Sequence, residues 1–181
     1  MERLALTADR SRPVCIDGGL NRLMGAPAPE SPLMIGVIKS HARNYLHPRG
    51  WETYLDLRPR QRTPYFYYEG LRGEHGGMPV ITWYLKLGTS PNMPSNVGTV
   101  RVEIPAGQFE HQFRSDPQMI NRLSGWLIDA RCRDNAYARM STSLEPIVRA
   151  EDALKPLFTS FAVLVNRFYR VANLFRGNNN E

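Results

Sequence analysis

Apolar residues fall in two patterns along this chain. Five short runs carry a strand signature, and the C-terminal third carries a helical one. The first run, Val14 to Ile16, ends at Asp17 and is followed at once by Gly18 and Gly19. Leu33 to Lys39 is continuous and partly β-branched, as for a strand buried on both faces. Between them, Pro27, Pro29 and Pro32 forbid a helix and predict a loop over 25–32. Pro64 to Glu69 is dense in aromatics, and Val80 to Leu87 is strongly β-prone. Gly98 to Ile104 alternates Val100, Val102 and Ile104 against Thr99, Arg101 and Glu103, the period of a half-buried strand. Gly, Pro and Asn clusters at 70–79 and 88–98 separate these runs, as in an antiparallel meander.

The helical signals are fewer at first. Ser40 is placed to cap a short helix through Leu46, which Pro48 would stop. Asp116 is a good N-cap with Pro117 at the first helical position. The helix it starts runs through Met119, Ile120, Leu123, Trp126, Leu127 and Ala130. Another begins near Pro146 and continues to Leu154. After Pro156 a stripe of Leu157, Phe161, Leu164, Val165, Phe168, Val171, Ala172 and Phe175 repeats at the α-helical period until Gly177. No internal repeat is visible. The pattern predicts an α/β (α+β) chain with a mixed sheet flanked by helices. A lead-in over 1–13, one domain over 14–176 and a flexible tail over 177–181 complete the expected organisation.

Composition adds one bias. The 181 residues suit a single domain with a real core, and the formal charge is +6. Of the 23 basic residues only Lys39, Lys86 and Lys155 are lysines, which leaves 20 arginines. Arginine grips phosphate oxygens with a planar fork, so the excess favours an anionic partner. GC-rich codon usage accounts for the same excess, and both readings stand. Cys15 and Cys132 match no zinc or redox spacing. The polar N-terminus does not resemble a signal peptide, and no stretch is apolar enough to span a membrane. A cytoplasmic protein without membrane contact is the expectation.

The chemistry-bearing candidates are few. Asp17 at a strand end, before two glycines, lets a phosphate or a metal approach closely. Asp-Gly is also a favoured turn pair, so a plain hairpin is the alternative. Lys39 leaves a buried strand with His41, Arg43 and Tyr45 close behind, a group able to contact a phosphate backbone or simply a solvated strand end. The histidines lack the i, i+4 pairing of zinc enzymes. Glu103, on the same strand face as Arg101, reads as solvent-facing or salt-bridged. Glu145, Glu151 and Asp152 near a helix start are explained by the helix dipole, although a carboxylate there could face a metal held at a strand end. In the aromatic runs (Tyr65, Phe66, Tyr67, Tyr68; Trp83, Tyr84) one face must be core. The other could stack unpaired bases beside arginines.

Together, IDGGL at 16–20, IGVIKSHARNYL at 35–46 and SLEPIVRAEDAL at 143–154 resemble the second half of the NurA nuclease family. In that family an apolar strand ends in Asp-Gly-Ser. A strand ending in Gly-x-x-Lys-Ser follows, and a Tyr-Pro-x-Pro-Leu-x-x-Ala-His motif closes the domain. Pro146, Ile147 and Ala150 fall at matching places. Gly19 stands where the family has serine, Ser143 where it has tyrosine, and Glu151 where it has histidine. The family's first aspartate and its glutamate lie on earlier elements, so the expected fold lacks the N-terminal strands.

The resemblance implies an RNase H-like fold and a manganese-dependent (Mn²⁺ or Mg²⁺) exonuclease and endonuclease activity on DNA. It also implies a dimer that works with a HerA-like hexameric ATPase in DNA end processing, repair or defence. Asp17 is the implied metal ligand, because two divalent ions need several carboxylates to activate water and hold the leaving oxygen. The candidate catalytic residues are Asp17, Lys39 and Glu151, and the candidate nucleic-acid contacts are Lys39, His41, Arg43 and Tyr45. Two expectations follow. One is a nuclease or nuclease subunit, incomplete alone and complemented by a homodimer partner or a second chain. The other is a non-catalytic nucleic-acid-binding or assembly subunit that keeps the fold without cleavage. An RNA-processing enzyme of the same broad fold is a third.

Overall fold

Each of the five apolar runs forms a strand, because β-branched and aromatic side chains fit a pleated, buried surface. They are β1 (Val14–Asp17), β2 (Met34–Ile38), β3 (Phe66–Tyr68), β4 (Val80–Lys86) and β5 (Thr99–Pro105). They make one mixed sheet in the order β1-β2-β5-β4-β3. β1 pairs with β2 in parallel, Asp17 opposite Val37, and every other pairing is antiparallel. The expected α/β mixed sheet with an antiparallel meander is therefore present. The structure, a computed structural model, describes residues 13–20, 25–39, 45–69, 77–88, 97–113, 116, 118–131 and 144–154. The chain divides into two compact units, 1–145 and 146–181. In the second, the described residues 146–154 are helical, as expected from Pro146 onward. The apolar stripe after Pro156 lies outside the described residues.

Among the described residues the first unit holds three helices: α1 (Pro48–Leu55), α2 (Ala106–Phe113) and α3 (Met119–Asp129). The first corrects the expectation for Pro48. Proline has no N–H to lose at the first turn, so it opens a helix here rather than stopping one. His47 is the N-cap, and its Nδ1 accepts from the Arg49 amide at 3.5 Å. The start of the expected Ser40 helix lies outside the described residues, and Tyr45 and Leu46 are not helical. α2 was not expected from the sequence; Ala106, Phe109 and Phe113 do fall at helical spacing, but over only eight residues. Its buried Gln108 accepts from the Met34 amide at 3.0 Å and donates to the Pro32 carbonyl at 3.0 Å, fixing the proline-rich loop to β2. α3 starts at Met119, two residues later than expected, with Gln118 rather than Asp116 as its N-cap; Asp116 Oδ1 accepts from the Gln118 amide at 3.1 Å just ahead of it. Ile120, Leu123, Leu127 and Ile128 are buried, whereas Trp126 is exposed.

β5 also departs from its expected half-burial. All seven of its residues are buried, because it lies between β2 and β4 and is covered on both faces. α2 packs on β4 and β5. The strand register places Arg101, Glu103, Tyr84 and Gly36 on one face, and Val102, Trp83, Val37 and Asp17 on the other. Among the described residues no helix is long and apolar enough to cross a membrane.

Candidate functional site

Parallel pairing brings the C-terminal ends of β1 and β2 side by side. Asp17 closes β1, and Lys39 follows the last residue of β2. Lys39 Nζ donates to Asp17 Oδ2 at 2.9 Å. The carboxylate is 39% exposed and the lysine side chain 12%, so this is an ion pair at the rim of the sheet rather than in its core. The hairpin alternative for Asp17-Gly18 is excluded, since β1 and β2 run parallel.

Beyond Asp17 the chain turns back over β2. Gly18 makes the turn at φ +143°, a conformation open to glycine, and its amide donates to the Val37 carbonyl at 3.0 Å. Leu20 then lands above Gly36. A Cβ at position 36 would lie 2.8 Å from both the Gly18 carbonyl oxygen and Leu20 Cγ. The Leu20 amide reaches further, donating to Glu103 Oε2 at 2.8 Å. Glu103 is fully buried, and its other oxygen accepts from Arg101 Nε at 3.0 Å. It is therefore salt-bridged but not solvent-facing. The ammonium-bound rim carboxylate and the guanidinium-bound core carboxylate lie on opposite faces of the sheet.

Tyr45 belongs to the Glu103 side. The Arg101 guanidinium lies 4.0 Å from its ring centroid, a cation–π contact. Its ring stacks on Tyr68 at 3.7 Å, and its amide donates to Tyr84 Oη at 3.4 Å. Burial pushes the Tyr45 hydroxyl pKa up, Arg101 opposes this, and Glu103 and Tyr68 add to it. Of the candidate residues, the structure thus joins Asp17 to Lys39 and places Tyr45 elsewhere. His41 and Arg43 lie outside the described residues. Glu151 is exposed on the helix at 145–154.

No three His, Cys, Asp or Glu side chains converge among the described residues. Among the described residues Asp17 brings one carboxylate, already engaged by an ammonium, and this donor set by itself does not fit a two-ion site. The Arg101–Glu103 pair was undervalued from sequence. The usable signal was two charges at i, i+2 in a run whose other members are all apolar or threonine, which marks a strand too buried to solvate them. No family model matches the chain, and no curated protein matches it either.

Proposed function

We propose that the chain is a NurA-like nuclease subunit of RNase H-like fold, handling DNA at the ends of β1 and β2. The observation that carries this reading is the meeting of Asp17 and Lys39, a carboxylate and an ammonium at the open end of a parallel strand pair. Phosphoryl chemistry uses both signs of charge, the cation for the phosphate and the carboxylate for a metal ion or a proton. The mixed sheet with flanking helices supports the fold assignment. Mn²⁺ or Mg²⁺ at Asp17 would require further carboxylates, supplied by a second chain or by residues outside those described. A HerA-like hexameric ATPase and a cytoplasmic setting complete the proposal.

The test is cleavage of end-labelled DNA with Mn²⁺, in the presence of the ATPase and the complementing subunit. Asp17→Asn and Lys39→Gln, each with an unchanged circular-dichroism spectrum, abolish or strongly reduce product. Undiminished cleavage by Asp17→Asn removes Asp17 from the mechanism. A second reading, a non-catalytic DNA-binding or assembly subunit, is favoured by the ammonium that engages Asp17. It predicts DNA or ATPase association with no Mn²⁺-dependent product.

A further inference from the structure

The edge of the sheet opposite Asp17 carries an unusual sequence, Leu57-Arg58-Pro59-Arg60-Gln61-Arg62-Thr63-Pro64-Tyr65-Phe66-Tyr67-Tyr68. It contains three arginines and no acidic residue, and it feeds straight into β3. Backbone bonds hold it against β4. The Arg60 amide donates to the Lys86 carbonyl at 2.9 Å, the Lys86 amide to the Gln61 carbonyl at 2.9 Å, and the Thr63 amide to the Tyr84 carbonyl at 2.9 Å. The segment is a fixed extension of the sheet edge rather than a loose loop.

Alternation along this edge divides the aromatics. Phe66 turns inward to Tyr54, Leu57 and Tyr84, and Tyr68 stacks on Tyr45. Tyr65 and Tyr67 turn the other way and stay 44% and 56% exposed. Beside them Arg62 is held rigid. Its Nε and Nη2 donate to Asn121 Oδ1 at 3.0 and 2.7 Å, and its Nη1 donates to the Thr63 carbonyl at 2.8 Å. Arg62, Pro64, Tyr65 and Asn121 line an open concavity of about 530 Å³. Arg58 and Arg60 are exposed just upstream.

We infer that this edge is a binding platform for single-stranded nucleic acid, with bases stacked on Tyr65 and Tyr67 and the backbone tracked by Arg58 and Arg60. Exposed rings in a fixed frame give every base a π-face to stack on, and adjacent guanidinium groups neutralise the phosphates. Duplex bases are already stacked, so the platform selects unpaired strands. β1 and β3 are the two edges of a five-stranded sheet, so this surface is separate from the Asp17 site. It stands whether or not the chain cuts DNA.

The experiment is fluorescence anisotropy with a labelled oligothymidylate of roughly a dozen nucleotides, within the usual footprint of such surfaces. An oligouridylate and a duplex of the same length are run beside it. Tyr65→Ala and Tyr67→Ala each weaken binding of both single strands roughly 5- to 150-fold, the loss of one stacked base. Tyr67→Phe keeps the ring and retains affinity. The Arg58→Gln, Arg60→Gln double variant makes the slope of log affinity against log salt shallower by about 0.7 for each phosphate left without its arginine. Binding is measured without added divalent cation, so the losses in the tyrosine variants are read independently of cleavage at the proposed nuclease site. Unchanged affinity in the Tyr65→Ala, Tyr67→Ala double variant overturns the inference. So does a Tyr67→Phe loss equal to that of Tyr67→Ala, or duplex bound as tightly as single strand.

Discussion

The Leu20 backbone amide donates to the buried carboxylate of Glu103 at 2.8 Å, across 83 residues of chain. This one bond ties the turn after Asp17 to the centre of the sheet. The strand-end site therefore rests on a core ion pair that it does not itself contain.

Glu103→Ala removes the acceptor for Leu20 and takes from the buried Arg101 guanidinium the carboxylate that accepts from its Nε. Breaking a buried pair from one side costs about 3–5 kcal/mol, far more than the pair contributes net. The urea midpoint falls accordingly. Replacing both partners with apolar residues (Arg101→Met with Glu103→Leu) costs distinctly less. Equal losses in the single and double variants would show that the charge pair is not the source of the effect.

Gly36→Ala brings a methyl group to 2.8 Å from the Gly18 carbonyl oxygen and Leu20 Cγ. The first is backbone and cannot rotate away. Overpacking of this kind costs about 1–3 kcal/mol, measured as a lower denaturation midpoint at unchanged slope. The displaced turn also reduces whatever activity depends on Asp17.

The Asp17–Lys39 pair is partly exposed and is worth about 0–1 kcal/mol to folding. Asp17→Asn and Lys39→Met each leave the melting temperature nearly unchanged. A double-mutant cycle on stability gives a coupling energy within that range. A coupling several times larger would mark the pair as structural.

Burial raises the Cys15 thiol from an ordinary 9.0 to about 11. Its thiolate is therefore scarce at neutral pH. Iodoacetamide modification of Cys15, followed by peptide mass mapping, keeps accelerating up to about pH 11 instead of levelling near pH 9. The folded state binds the proton more tightly than the unfolded one. Its contribution is fully present below pH 9.0 and is lost as pH rises through about 11, so Cys15→Ala shows a shallower alkaline loss of stability.

The strands were legible in the chain because burial selects apolar, β-branched and aromatic residues over a short span. Val14–Asp17, Met34–Ile38 and Val80–Lys86 each sit inside the run that announced them. The placement of Asp17 at a strand end, and the nearness of Lys39 to a second strand end, were equally local facts. Helix α2 was not expected, because its anchoring comes from Gln108, a polar residue bonded to a loop some 76 residues away. Neither was the role of Pro48, which depends on His47 being free to cap.

Local sequence, then, determined which segments extend and where the candidate carboxylate sits. It could not say that β1 and β2 run parallel, and that alone brings Asp17 and Lys39 to one edge. It could not say that β5 is central, which converts Arg101 and Glu103 from surface charges into a buried pair. Nor could it say which members of the Tyr65–Tyr68 run face out. Period and propensity are properties of neighbours in the chain, whereas strand order and burial arise from residues brought together across it.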